Sequence, residues 1–359
     1  MNEPFVTRFP LCLIAIIFLS ANGFLYADQD LFLLSYFKDN GQEGVFLAYS
    51  EDGFKFSALN DDRPIFVPPE WEGQNLTRDP SILYNEGLFR MVWTSNWQGT
   101  SFGAVCSPDL KQWYKPVKVH PFTEWPRDDS PRNVWAPEVH WDPTQRNYLI
   151  LWSSATKSLE GKGGHNSGGL ENDKTMNVKV DLRHHRTFYS RSADFQTFSN
   201  ARIFFNPGVS QIDAAMALDD GATRDPADDR WIVAVKHEQL RELGGKNIRL
   251  VSTSADLPLS SPPKFRSPVE PGRLWTEPVA GLHSNIQSHH MVEGPTLLHV
   301  GNTWWLYFDR FDMRTNRFGL AVSEDLRQWS DRTDELDIPP DARHGTIFRA
   351  PRSAVAFLN

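Results

Sequence analysis

One short phrase recurs five times in this chain. It reads SEDGFKF from residue 50, SPDLKQW from 107, SADFQTF from 192, SADLPLS from 254 and SEDLRQW from 323. All five share Ser-x-Asp. Four carry an apolar residue three positions after the Ser, where the first has Gly53. An aromatic follows at Phe56, Trp113, Phe198 and Trp329, and the fourth copy has lost it. Ser and Asp side chains hydrogen-bond their local backbone, so the phrase suits a turn whose aromatic packs back on a sheet. Each copy follows a short strand-like run, such as GVFLAY (44–49) or FGLAV (318–322). A unit repeated at this scale implies an architecture of stacked or radial modules.

A second phrase precedes most copies. It begins RDPSILY at 78, PEVHW at 137, IDAAMAL at 212 and EGPTLL at 293, and runs through a polar turn into an aromatic strand of six to eight residues. No sustained helical period appears outside the N-terminal segment. Short strands at regular spacing predict an all-β fold that closes on itself. The expectation is a five-bladed β-propeller over residues 28–359, closed by pairing of N- and C-terminal strands. ARHGTIFRAPR (342–352) would supply the missing inner strand and pair near residues 31–49. Closure leaves few exposed edges. With 13 Trp and 24 Phe the chain has ample material for such a core. The stretches 159–174 (Gly-rich) and 258–272 (Pro/Ser-rich) read as surface connections within this single domain. The first lacks the Gly-Lys-Ser/Thr ending of a phosphate loop.

Residues 1–27 read as a signal peptide: Arg8, the apolar run LCLIAIIFLSA, then small residues at Ala21-Asn22-Gly23 and Ala27. The run is short for a membrane span, though an uncleaved anchor helix is the alternative. A secreted or periplasmic monomer is expected, without membrane attachment after cleavage. Of the two cysteines, Cys12 lies in the signal, so Cys106 has no internal disulfide partner. The net charge of −8 argues against nucleic acid and anionic membranes as partners.

The inner strand of each blade lines the central channel. The repeat alignment therefore delivers Asp79, Glu138, Asp213, Glu293 and His344 to the channel mouth. Clustered carboxylates repel and push their pKa values apart, which a fold tolerates mainly where a site uses it. Glycoside hydrolysis needs such a set, one ionised carboxylate and one protonated carboxyl across the scissile bond.

With RDPS around Asp79, WAPE at 135–138, QIDAAM around Asp213, VEGPTLL at Glu293 and RHGT around His344, the sequence resembles glycoside hydrolase family 43 along nearly all of its mature length. The resemblance implies Asp79 as the base that activates water, Glu293 as the acid and Asp213 as the group that tunes and orients the acid. It implies inversion, with base and acid roughly 6.5–9.5 Å apart. The implied substrate is an oligo- or polysaccharide bearing terminal L-arabinofuranose or xylose, attacked from the chain end. Two departures, Ala214 in place of Pro and Glu138 in place of Asp, leave the sugar open. Glu138, Trp97, Trp135, Lys236 and Arg78 are the expected substrate contacts. No cofactor is required. A water or a central cation such as calcium at His344 is what some relatives imply. Competing readings are a retaining fructosyl hydrolase, a glycoside phosphorylase using the basic run His184-His185-Arg186, and a non-catalytic carbohydrate-binding propeller.

Overall fold

A computed structural model describes residues 30–157, 184–221, 229–239, 241, 244–257, 263–286 and 289–358. The expected signal peptide, the stretch 159–174 and the first part of 258–272 lie outside the described residues. Apart from short 3-10 turns, the described residues contain no helix.

Five four-stranded antiparallel sheets form the blades of a propeller. The first holds β1 (Asp30–Phe37), β2 (Phe46–Ser50) and β3 (Ser57–Ala58). The second holds β4 (Arg78–Asn85), β5 (Leu88–Thr94), β6 (Phe102–Ser107) and β7 (Tyr114–Val119). The third holds β8 (Trp135–Asp142), β9 (Asn147–Ala155), β10 (His185–Ser192) and β11 (Arg202–Phe205). The fourth holds β12 (Gln211–Asp219), β13 (Arg230–His237), β14 (Asn247–Ser254) and β15 (Ala280–Gly281). The fifth holds β16 (Val292–Val300), β17 (Thr303–Arg310), β18 (Phe318–Ser323) and β19 (Ser330–Asp331). The last strand, β20 (Arg343–Pro351), returns to the first blade and pairs with β1, from Asp30 opposite Pro351 to Phe37 opposite Arg343. The ring closes as the repeat count requires.

Five apolar clusters fill the gaps between adjacent blades. Leu33, Ile82, Trp93 and Phe348 join the first blade to the second, and Val92, Phe102, Trp152 and Phe188 join the second to the third. Leu151 with Val233, Leu250 with Leu306, and Tyr36 with Tyr307 mark the other three contacts. Both faces of a blade are thus buried, which is why these strands read as continuous apolar and aromatic runs rather than strict alternations.

The Ser-x-Asp phrase makes the outer hairpin of a blade. In three copies the Ser hydroxyl accepts the N–H three residues on, from Gly53, Leu110 and Phe195, at 2.7–2.9 Å. The Asp oxygen accepts the N–H groups two and three residues on, as Asp109 does from Lys111 and Gln112. The fourth residue is left-handed, with φ of 79° at Gly53, 67° at Leu110, 57° at Phe195 and 61° at Leu326. Where that residue is apolar it is buried. Gly53 takes the same conformation without the anchor. In the degenerate fourth copy Ser254 instead donates to the Asp256 carbonyl.

Candidate active site

Every innermost strand enters the channel with a bulge, in which two residues face one on the neighbouring strand. The pairs are 79–80, 136–137, 213–214, 294–295 and 344–345. The first residue of the pair has φ of 50° at Asp79, 46° at Ala136, 53° at Asp213 and 56° at Gly294. A bulge re-aims a side chain, and a left-handed non-glycine residue costs about 1–3 kcal/mol. The strain falls on two of the three proposed catalytic carboxylates. The acids do not share one column, as the repeat alignment implied. Asp79 and Asp213 occupy the bulge. Glu293 stands one residue before it. Glu138 stands one after it, and Ala136 fills the bulge position of its blade.

Side chains at the end of the second strand latch three of the five blades to the next inner strand. Thr94 Oγ1 accepts the Ala136 N–H at 2.8 Å, Ser153 Oγ accepts the Asp213 N–H at 3.0 Å, and Asp309 Oδ2 accepts the His344 N–H at 3.0 Å. The fourth blade has Lys236 at this position, which cannot accept, and the Gly294 N–H goes to Asp213 Oδ2 at 3.1 Å instead. These latches were missed from sequence, although the polar residue ending each aromatic run (MVWT, ILWS, VAVK, LYFD) marked them.

Asp79 receives Thr94 Oγ1 on one oxygen at 2.8 Å and faces His344 Nδ1 on the other at 3.3 Å. Burial opposes the charged form of His344, but the Asp79, Asp213 and Glu293 carboxylates around it raise its pKa. Burial also pushes the Asp213 carboxyl up to about 6, helped by the Glu293 and Asp79 charges and opposed by His344 and Lys236. Glu293 goes the other way. Burial is the largest influence and would raise it, but the Lys236 ammonium, with Nζ 3.0 Å from Oε2, together with His344 and Arg78 outweighs it and holds it at about 2. In the ligand-free molecule the proton therefore rests more readily on Asp213 than on Glu293.

Arg78 lies beside Asp79, with its guanidinium between the Phe37 and Trp97 rings at 4.4 and 4.3 Å from their centroids. Trp97 is 43% exposed and meets Trp135 edge to face at 5.9 Å, and Trp135 in turn stacks on His185. This aromatic corner is where a sugar face could stack.

Glu138 is held inside the channel, within reach of the His344 and Asp213 charges. It is 4% exposed, accepts hydrogen bonds from Ser81 and Thr346, and has its pKa pushed up to about 7, mainly by burial. It lines a cavity of about 430 Å³ together with Thr296, Met216, Leu298 and Trp231. A cation at His344 does not fit the residues present. The Nδ1 atom faces Asp79, and among the described residues no three His, Cys, Asp or Glu side chains converge as a metal site. The basic run His184-His185-Arg186 is buried, with Arg186 hydrogen-bonded to Thr156 and near Asp129, so it forms no exposed phosphate cradle.

A five-bladed propeller that brings carboxylates of three blades together offers the paired acids that glycoside hydrolysis uses. The chain belongs to the glycosyl hydrolases related to family 43: residues 28–353 match the family model described as "Probable glycosyl hydrolase domain". It is a glycoside hydrolase of the family 43 type. No curated protein matches the sequence. Solved structures match remotely. A thermostable family-43 glycoside hydrolase is 17% identical, with 70% of each chain covered and a TM-score of 0.45. The family-62 α-L-arabinofuranosidase catalytic domain of Coprinopsis cinerea is 14% identical, covering 79% of this chain and 77% of that one, with a TM-score of 0.46. An exo-β-1,3-galactanase of Phanerochaete chrysosporium is 11% identical, with 71% and 49% covered and a TM-score of 0.45. The match spans about half of that galactanase.

Proposed function

We propose that this protein is an exported, inverting, exo-acting glycosidase that removes terminal pentoses, L-arabinofuranose or xylose, from oligo- or polysaccharides. The observation that carries the reading is the meeting of Asp79, Asp213 and Glu293 around His344 at one mouth, from three different blades. Asp79, oriented by Thr94 and His344, is the base that takes a proton from water. Glu293 is the acid that protonates the leaving oxygen. Asp213 holds the Gly294 backbone and, through it, the strand that carries Glu293. Arg78, Trp97 and Trp135 form the sugar-binding rim. The apolar run after Arg8 supports export.

For Glu293 to donate a proton, the Lys236 ammonium must yield when a glycosidic oxygen arrives. A second reading, with Asp213 as the donor, is favoured by its pKa near 6. Leaving groups separate the two. Loss of the acid harms unactivated oligosaccharides far more than nitrophenyl glycosides, whose leaving group needs no proton. A panel of nitrophenyl glycosides and matching oligosaccharides is assayed with Asp79→Asn, Asp213→Asn and Glu293→Gln, and the first-formed anomer is identified by NMR. Asp79→Asn should lose about 10²–10⁴-fold on both substrate types. Glu293→Gln should lose that much on oligosaccharides alone. Full hydrolysis by both Asp79→Asn and Glu293→Gln, or a retained anomer, overturns the reading.

A further inference from the structure

Behind Glu293 and Lys236 a chain of buried charges continues to Glu238 and Lys246, which the reaction as described does not use. Lys236 Nζ sits 3.0 Å from Glu293 Oε2 and 2.5 Å from Glu238 Oε1. Glu238 Oε2 is held 2.7 Å from Lys246 Nζ. The side chains of Lys236, Glu238 and Lys246 are 3–5% exposed, against 17% for Glu293. Two cations and two anions alternate from the interior to the mouth.

Three observations set this chain apart from an ordinary ion pair. Lys236 occupies the position where three other blades place a hydrogen-bond acceptor, so its ammonium reaches the carboxylate instead of latching the next blade. Lys246 is a buried lysine with φ of 60°, a strained conformation held in the connection between β13 and β14. Gly245 before it runs so close to the Gln239 backbone that a Cβ would lie 1.9 Å from that carbonyl oxygen. Buried ion pairs are weak sources of stability, because desolvation offsets the attraction. Three buried charges in a row with Glu293, two of them on a connection where Lys246 is left-handed, are therefore poorly explained as scaffold.

We propose that Glu238 and Lys246 are positioning residues that set how firmly Lys236 grips Glu293, and so when Glu293 can take up and donate its proton. The inference rests on Glu293 being the acid. Lys236 has two carboxylates to choose between. Glu238 offers it a second partner when a substrate oxygen displaces it from Glu293, and Lys246 limits how strongly Glu238 pulls. The other groups facing the pair are Asp213 on β12, Asp79 and Arg78 on β4, Arg343 and His344 on β20, and Asp309, itself paired with Arg317. The Phe311 ring lies 4.3 Å from Lys236 Nζ.

The test uses variants expected to act in opposite directions. Carbon-13 NMR of glutamate-labelled protein follows the Glu293 carboxyl with pH, its resonance assigned by its loss in Glu293→Gln. Lys236→Met should raise the midpoint by about one to three pH units, and Lys246→Gln should raise it by less. Glu238→Gln, which leaves Lys236 with Glu293 alone, should keep Glu293 ionised to the acid limit of folding. On an oligosaccharide of the cleaved sugar it should shift the alkaline limb of kcat/KM to lower pH. Its rate there should fall about tenfold relative to the nitrophenyl glycoside, the equivalent of a one-unit change in the acid's pKa. A midpoint unmoved in Lys246→Gln, or a limb and rate ratio unmoved in folded Glu238→Gln, overturns the inference. If Glu238→Gln does not fold, the Lys246→Gln midpoint decides alone. Wild-type oligosaccharide cleavage by Glu293→Gln would instead overturn the assignment of the acid, while the NMR midpoints would still judge the charge chain.

Discussion

Thr94→Val tests whether the latch at the end of a second strand serves both the fold and the site. Thr94 is buried, and its hydroxyl donates to Asp79 Oδ2 and accepts the Ala136 N–H, each at 2.8 Å. Valine keeps the shape and removes both bonds. An orphaned buried N–H costs about 1–3 kcal/mol. Unfolding entropy near 2.1 cal/mol/K per residue over about 330 residues amounts to ~0.7 kcal/mol/K, so a loss of ~2 kcal/mol lowers Tm by about 3 °C. The Asp79 carboxylate also loses a hydrogen bond of the charged kind, worth about 1.5–3 kcal/mol. If the transition state feels all of it, kcat/KM falls about tenfold to a hundredfold. Thr94→Ser is the control. It keeps the hydroxyl and loses one methyl, about 0.8 kcal/mol, or ~1 °C. Calorimetry and initial rates on a turned-over glycoside provide the readout. If valine and serine variants melt together and turn over alike, the hydroxyl neither latches the blades nor orients Asp79.

Two further perturbations probe the channel. Burial raises the Glu138 pKa from its ordinary 4.5 to about 7, so the folded state holds that proton more tightly than the unfolded one. Its contribution is complete below about pH 4.5 and is lost as pH rises to about 7, at roughly 1.4 kcal/mol per unit of difference. Glu138→Gln should therefore gain stability relative to wild type between pH 5 and 8 in urea titrations, and a constant difference across that range would contradict the burial argument. Gly345→Ala places a Cβ 1.7 Å from the Ser35 carbonyl oxygen, inside the pairing of β20 with β1. A Tm lower by about 1–4 °C is expected from overpacking penalties of roughly 1–3 kcal/mol. A wild-type melt would show that closure there is loose.

The blade count and the closing strand were legible because each rests on local chemistry. A Ser-x-Asp turn announces itself wherever its side chains cap the backbone, and Gly53 stands where Leu110 and Phe195 need a left-handed φ. The channel acids were legible as a set but not in their offsets from the bulges, because no residue type signals a bulge here. Ala136 occupies one as readily as Asp79 does. The charge chain was hidden for a different reason. Glu238 and Lys246 are eight residues apart and look like ordinary loop charges until the hairpin folds them inward against Lys236.

The pairing of β1 with β20 has a consequence for synthesis. Ser35 and Thr346 hydrogen-bond across 311 positions of sequence. At ~5–20 residues per second, a ribosome needs about 15–60 s to travel that far. Throughout that interval the nascent first blade lacks its inner strand, and an unpaired edge of this kind invites annealing with other chains. The same late segment delivers His344, the partner of Asp79. The contact to Asp79 thus forms only after β20 is made, and a chain released before it would keep an adhesive edge.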